Sequence, residues 1–269
     1  MWTRAVFQFG SIETLRRLSS VILLFITSSM TTTQIAPKLW AKDRLTEYIE
    51  NCRTNQFATF ANKAAFKLLL EIDDCFFKVL DKPINPRPWF PFQFIHRSHS
   101  SWRSACGMVM AGQVQEANAM LRLSLETAAY GYYISTDNSN AEAWIKRNDG
   151  VTELRDFKKK FQHVTIKQKI IGDADKLGRI FEQLYERTID YGAHPNERGF
   201  SLNSSISEGA DAIEFLQIYL QGDGLPLDFA LKSTAQIGVW NLGIFQLVYP
   251  QKWELLGLKA KLEEFWRVL

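Results

Sequence analysis

The stretch from Gln113 to Ser135, QVQEANAMLRLSLETAAYGYYIS, constrains the fold more than any other part of the chain. Between Ala117 and Ser135 only Arg122 and Glu126 are charged at neutral pH. At roughly 3.6 residues per turn, Val114, Ala117, Leu121, Leu125, Ala128 and Tyr132 form one apolar stripe, while Met120, Leu123 and Tyr130 carry apolar character to the far side. A helix that is apolar nearly all round is buried, so residues 113–135 are expected at the centre of an all-α, multi-helix bundle. Arg122 and Glu126 are four apart and therefore neighbours on one face, with Asn118 and Tyr133 along the same seam.

The remainder can supply the surrounding helices. With 269 residues, 46% hydrophobic and 23% charged, the chain is long and apolar enough to bury a sizeable core, which excludes wholesale disorder. Pro37 to Cys52 reads as a first amphipathic helix, with Leu39, Leu45, Tyr48 and Ile49 inward, and Phe57 to Leu80 as a second. Pro83, Pro86, Pro88 and Pro91 then predict an extended connector on which Trp89, Phe90, Phe92 and Phe94 pack, before a helix capped at Ser98 or Ser100. Further helices are expected at Ala141 to Arg147 and Thr152 to Phe161, the latter with Leu154, Phe157 and Phe161 inward. Another runs from Ala174 to Ala193, where Gly192 and the His194-Pro195 pair end it. Phe200 to Ile206 and Ala212 to Leu220 predict a short β-hairpin across Glu208-Gly209. Two helices close the chain, Pro226 to Val248 and Pro250 to Leu269, the second with Leu255, Leu258, Leu262, Phe265 and Leu269 on one side.

Residues 37–269 thus read as one helical domain, and residues 1–36 as something else. Arg16 and Arg17 precede a short apolar run, Val21 to Ile26, and a Ser/Thr-rich stretch. A start of translation at Met30, or a disordered tail, fits better than a secretory leader, because the leader would be long and lacks a clear small-residue cleavage site. The run is too short to span a bilayer, which takes roughly 18 residues or more, so stable membrane insertion is not expected. Three widely spaced cysteines, Cys52, Cys75 and Cys106, fit reduced thiols of a cytoplasmic protein rather than a disulfide framework or zinc site.

Few residues offer chemistry. His96 and His99 form an H-x-x-H pair with no third donor nearby in sequence, so no metal is expected, and no GxGxxG, P-loop, GxSxG or HExxH pattern points to a cofactor or a known catalytic centre. A net charge of +3 does not by itself imply a polyanionic partner. Its distribution says more: between Lys146 and Arg179 ten Lys/Arg stand against five Asp/Glu. Lys158, Lys159, Lys160, Lys167 and Lys169 are the residues of this segment that would contact nucleic-acid phosphates, the alternative being a merely solvated face.

Arg187 and His194 are seven apart and on an uninterrupted helix would share a face with Tyr191 between them. The pairing of Arg122-x3-Glu126 with Tyr191-x2-His194-Pro195 resembles a set of uncharacterised bacterial all-helical proteins. Arg187-x6-His194 is more distantly similar to the R-x4-6-H motif of the HEPN superfamily, over roughly residues 105–195. That resemblance implies a helical bundle working as a homodimer, and a metal-independent ribonuclease or RNA-binding protein of bacterial defence. Thr188 departs from the Asn, Asp or His that usually follows the superfamily's arginine. In such an enzyme His194 would move the proton of the 2′-hydroxyl and Arg187 would clamp the phosphate, with Arg122 and Glu126 orienting them and Tyr191 a further candidate of the site. The other reading is a non-enzymatic helical module that binds protein or ligand, in which the Arg/Glu/His seam sets bundle register.

Overall fold

A computed structural model of the protein describes residues 36–81, 86–208 and 212–269. The expectations for the N-terminal leader and for Pro83 lie outside these residues. Compact units comprise residues 1–47 and 48–269. In the first, Asp43 accepts hydrogen bonds from the backbone N–H groups of Leu45 and Thr46, which caps the start of α1. The second holds the rest of the bundle.

The described residues form twelve α-helices and one two-stranded sheet, as an all-α bundle with a small hairpin requires. They are α1 (Arg44–Asn62), α2 (Ala65–Leu80), α3 (Trp89–Met110), α4 (Val114–Ser135), α5 (Asn138–Lys146), α6 (Val151–Lys160), α7 (His163–Asp173), α8 (Asp175–Thr188) and α9 (Glu197–Asn203). Strands β1 (Ser204–Glu208) and β2 (Ile213–Gln217) follow, then α10 (Leu225–Val248), α11 (Pro250–Leu255) and α12 (Leu258–Val268).

Helix α4 is the central helix, and every member of its expected apolar stripe is buried. It packs chiefly on α3 and α10, and α10 also covers α2. Trp102, Phe76, Trp240 and Phe245 are completely enclosed between them. Burying so many large side chains is what holds short helices together, since helices of this length have little stability alone. Polar hydrogen bonds cross the same layer: Ser98 Oγ donates to the Ser124 carbonyl, Asn241 Nδ2 to Ser124 Oγ at 2.8 Å, and Trp102 Nε1 to the Thr234 carbonyl.

Several boundaries differ from the sequence reading. The proline-rich connector is shorter than expected, because α3 already starts at Trp89 with Pro91 in its first turn. A first-turn proline loses no hydrogen bond, since those N–H groups have no intrahelical partner. Ser98 therefore lies in mid-helix, bonded to α4, and caps nothing. The expected helices Pro37 to Cys52 and Phe57 to Leu80 are replaced by α1 and α2, parted at Lys63-Ala64.

Leu39 and Leu45 are exposed, not inward, and so is Ile49 of α1. For Ile49 the reason is the docking chemistry within the second unit. Asn55, Gln56 and Thr59 of α1 donate to the carbonyls of Ala111, Gly107 and Met110 at the C-terminal end of α3, where the last carbonyls of a helix lack intrahelical partners. A polar face satisfies those acceptors and an apolar one does not. At the C-terminus, Gly257 in a left-handed turn (φ 67°) splits the closing helix in two, leaving Leu255 exposed while Leu258, Leu262 and Phe265 are buried.

Candidate functional site

Three regions bear on function: the polar seam of α4, the C-terminal end of α8, and the hairpin. In the seam, one turn of α4 brings Arg122 Nε to 2.9 Å from Glu126 Oε1. The second arm of the guanidinium, Nη2, donates to Tyr185 Oη of α8 at 2.7 Å, and its carbon lies 4.8 Å from the centre of that ring. The His163 imidazole, at the start of α7, stacks on Tyr185 with ring centres 3.8 Å apart and on Phe181 at 5.3 Å. Burial works against the Arg122 charge, but the Glu126 carboxylate and the Tyr185 hydroxyl outweigh it and its pKa rises. Burial first, and then Lys167, pushes the His163 pKa below the ordinary histidine value. Its Nε2 is enclosed and has no hydrogen-bond partner among the described residues.

Tyr185 and His163 were missed in the sequence. Tyr185 could have been found from the Phe181/Tyr185 pair at helical spacing, whereas nothing near His163 in sequence signals its stack.

Arg187 lies two residues beyond Tyr185, hence about 200° round the helix, and addresses α10 instead. Its Nη1 donates to Gln236 Oε1 at 2.5 Å and Ser233 Oγ at 3.3 Å, and its guanidinium lies 5.4 Å from the Phe229 ring centre. Tyr191 meets the same Phe229 ring, 5.2 Å between centres.

The common face expected for Arg187 and His194 requires an unbroken helix, and the helix breaks. Residues Ile189–Ala193 form a wide π-type turn in which Tyr191 (φ −111°, ψ 18°) and Gly192 (φ 144°, ψ −13°) leave helical geometry. Asn118 Nδ2 holds the turn by donating to the Tyr191 carbonyl at 3.0 Å. His194 follows in extended conformation and is exposed, with no polar contact to Arg187, Arg122 or Glu126 among the described residues. The structure thus joins Arg122 to Glu126, and Arg187 to Tyr191 through Phe229, but does not gather the five into one site.

The lysines divide likewise. Lys160 Nζ donates to Ser139 Oγ at 2.7 Å, Lys167 pairs with Glu182 at 2.6 Å, and Lys169 pairs with Asp173 at 2.8 Å. Lys158 and Lys159 are exposed on α6 without an ion pair among the described residues. On the same helix Leu154, expected inward, is 38% exposed, because Phe157 and Phe161 stacked beside Trp144 already fill the space beneath α6.

His99 is a core histidine, with Nε2 2.6 Å from Asp73 Oδ1 and its ring stacked on Phe76. His96 packs edge-on against Phe92, and burial lowers its pKa. No group of three or more His, Cys, Asp or Glu among the described residues is placed to hold a metal ion. All three cysteines are free thiols, and burial raises the pKa of Cys75 and Cys106, away from the thiolate form a nucleophile needs. A crevice beside Val109, Asn118, Tyr191, Phe229 and Ser233 is too tight to admit even a water molecule. No helix among the described residues is long and apolar enough to cross a membrane.

The hairpin stands apart from the core. Its antiparallel register pairs Ile206 with Phe215 and Glu208 with Ile213 on one face, and Ser205 with Leu216 and Ser207 with Glu214 on the other. Helix α9 takes the residues expected to begin the first strand, so β1 starts only at Ser204. Alternation therefore produces an apolar face of Ile206, Ile213 and Phe215, as in any half-buried sheet, yet these side chains are 66%, 71% and 64% exposed. Neither strand buries a residue. A two-stranded sheet has two edges, and both lack a strand partner among the described residues.

Comparison with protein-family models, with curated proteins and with solved structures finds no match to the chain.

Proposed function

We propose that the protein is a non-enzymatic helical module that binds another polypeptide chain, with the β1–β2 hairpin as its recognition element. The observation that carries this reading is the exposed apolar face of Ile206, Ile213 and Phe215, on a sheet whose two edges lack a strand partner among the described residues. An isolated two-stranded hairpin is marginal in water, and an exposed apolar strand invites pairing, so such an element gains from a partner that covers it. In this reading the polar seam is structural. Arg122 is engaged by Glu126 and Tyr185, and Arg187 by Gln236 and Ser233, which fixes how α8 sits against α4 and α10.

The test places a photo-crosslinking residue at Phe215 in the full chain, expressed in its natural host. Discrete protein adducts are expected, and they should disappear when Ile206 and Ile213 are both changed to Thr. Threonine keeps strand propensity while removing most of the apolar contact. Absence of adducts from a folded protein overturns the reading.

A further inference from the structure

The hairpin is rooted in the bundle although its strands bury nothing. Asn203, buried at the end of α9, accepts at its carbonyl from the Ile218 N–H at 2.7 Å and at Oδ1 from Gln221 Nε2 at 2.7 Å, while its Nδ2 donates to Gln115 Oε1 of α4. The Gln221 N–H in turn donates to the Gly112 carbonyl at 2.8 Å. Both ends of the hairpin are thereby tied to the turn between α3 and α4. The Asn203–Ile218 bond also sets which backbone groups of the strands stay open. Asn203 opposite Ile218 continues the strand register by one step, and in an antiparallel ladder hydrogen-bonded pairs alternate with non-bonded ones. Ser205–Leu216 and Ser207–Glu214 are therefore bonded pairs. The N–H and C=O groups of Ile213, Phe215 and Gln217 on β2 point to the free edge, with no other backbone partner among the described residues.

We infer that the hairpin's partner is an extended segment of another polypeptide that adds to β2 as a third, antiparallel strand and alternates apolar with basic side chains. This rests on the reading of the hairpin as a recognition element and names the chemistry of what it binds. A strand bonded to the open groups of Ile213 and Phe215 sets the residues opposite them on their own face, and its intervening residues on the other. The first face is apolar and exposed, so it selects apolar side chains. On the second face the β2 residue between Ile213 and Phe215 is Glu214, exposed and without an ion pair among the described residues. It borders an open hollow of about 450 Å³ lined by Ser205, Ser207, Glu214, Phe215 and Leu216. That hollow has room for a long side chain beside the carboxylate, and a lysine or arginine there pairs opposite charges across the strands. The chain itself supplies no such cation nearby in sequence, since Phe200 to Leu231 contains no Lys or Arg. The edge of β2 serves better than that of β1, where Ile206 stands between Ser205 and Ser207. A second copy pairing through β2 leaves Glu214 without a cation in every register, because β2 has no Lys or Arg. The rooted base also means that the edge is held ready, which lowers the ordering cost of binding.

Fluorescence anisotropy with the full chain and labelled synthetic peptides of about eight residues, long enough to span β2, tests this. A peptide alternating valine and lysine is expected to bind at least about tenfold more tightly than one alternating valine and glutamate. Glu214→Lys should reverse that order, a result that misfolding cannot produce. Backbone pairing is tested separately. With N-methyl groups on the valines, whose N–H groups face β2 in the antiparallel register, binding of the valine/lysine peptide should be lost; with N-methyl groups on the lysines, whose N–H groups face away, it should persist. Equal affinity for the lysine and glutamate peptides overturns the inference, as does an order that Glu214→Lys leaves unchanged, or a methylation effect that is the same for both sets of N–H groups. Binding of neither peptide at the highest soluble concentration also overturns it. If no peptide binds but Phe215 still crosslinks to another protein in the host, the hairpin reading stands and the third-strand inference falls. If there is neither peptide binding nor adduct, both fall.

Discussion

Replacing Gly192 by alanine should destabilise the protein by about 2–4 kcal/mol, and the structure shows why. Gly192 has φ 144°, where an L side chain is strained by about 1–3 kcal/mol. A Cβ there would also stand 2.3 Å from the backbone oxygen of Gln115 and 2.7 Å from its Cγ. The oxygen belongs to α4, the central helix, and cannot swing aside as a side-chain tip would. Forcing atoms into packed surroundings adds typically about 1–3 kcal/mol. Alanine also restricts the unfolded chain, which offsets about 0.4–1 kcal/mol. For a chain of this size the net effect corresponds to a fall in Tm of about 5–15 °C. Equilibrium urea unfolding measures it, with Gly172→Ala as control: Gly172 lies in α7 with no atom within 4 Å of an added Cβ. That change should be neutral or should stabilise by up to about 1 kcal/mol through helix propensity. A Gly192→Ala protein within about 0.5 kcal/mol of wild type would refute the argument that the turn at Ile189–Ala193 is pinned against α4.

Three further outcomes follow from the seam and from the end of α8. Arg122→Ala should cost about 1–2 kcal/mol, below the value for a fully buried pair because the Glu126 side chain is 34% exposed. A double-mutant cycle with Tyr185→Phe should show coupling, and additive effects would mean that the Arg122–Tyr185 bond contributes nothing. His163 titrates below the ordinary histidine value of 6.5 because it is buried, so protonation favours the unfolded chain. Its contribution is complete above 6.5 and is lost as pH falls through the lower folded value, with His96 acting in the same sense. His163→Phe keeps the stack on Tyr185 and Phe181, removes the enclosed Nε2, and should flatten the loss of stability as pH falls below about 6.5. An unchanged pH slope tells against this account. Finally, RNA incubated in EDTA with protein purified from Met30 onward should show no cleavage dependent on His194 or Arg187. If wild type cleaves, and folded His194→Ala and Arg187→Ala proteins do not, the ribonuclease reading replaces the binding module.

Legibility tracked the range of the interactions concerned. The stripe from Val114 to Tyr132 could be read because helical periodicity and the near-absence of charge are local properties, and α4 is buried along it. Pairing of Arg122 with Glu126 is equally local, a matter of four residues on one helix. The hairpin was visible from the alternation of Ile213, Phe215 and Tyr219, although α9 was not. Hidden were the partners: Tyr185 for Arg122, 63 residues away, Ser233 and Gln236 for Arg187, 46 and 49 away, and His163, which stacks on Tyr185 from another helix. The end of α8 misled because Arg187, Tyr191 and His194 fit a helical wheel, while the wheel assumes the continuity that Gly192 ends.

The amino-acid sequence by itself determined the helical class, the choice of α4 as the central helix, the Arg122–Glu126 pair and the amphipathic character of the hairpin, because each follows from residue order within a few turns or one strand pair. Tertiary structure alone decided that α1 docks through Asn55, Gln56 and Thr59 and leaves Ile49 in water. It also decided that Arg122 reaches Tyr185 on α8 while Arg187 of α8 turns to α10, and that the apolar face of the hairpin is exposed. Periodicity specifies that a face is apolar or polar; what covers that face depends on which distant segment reaches it, and that is a property of the packed chain.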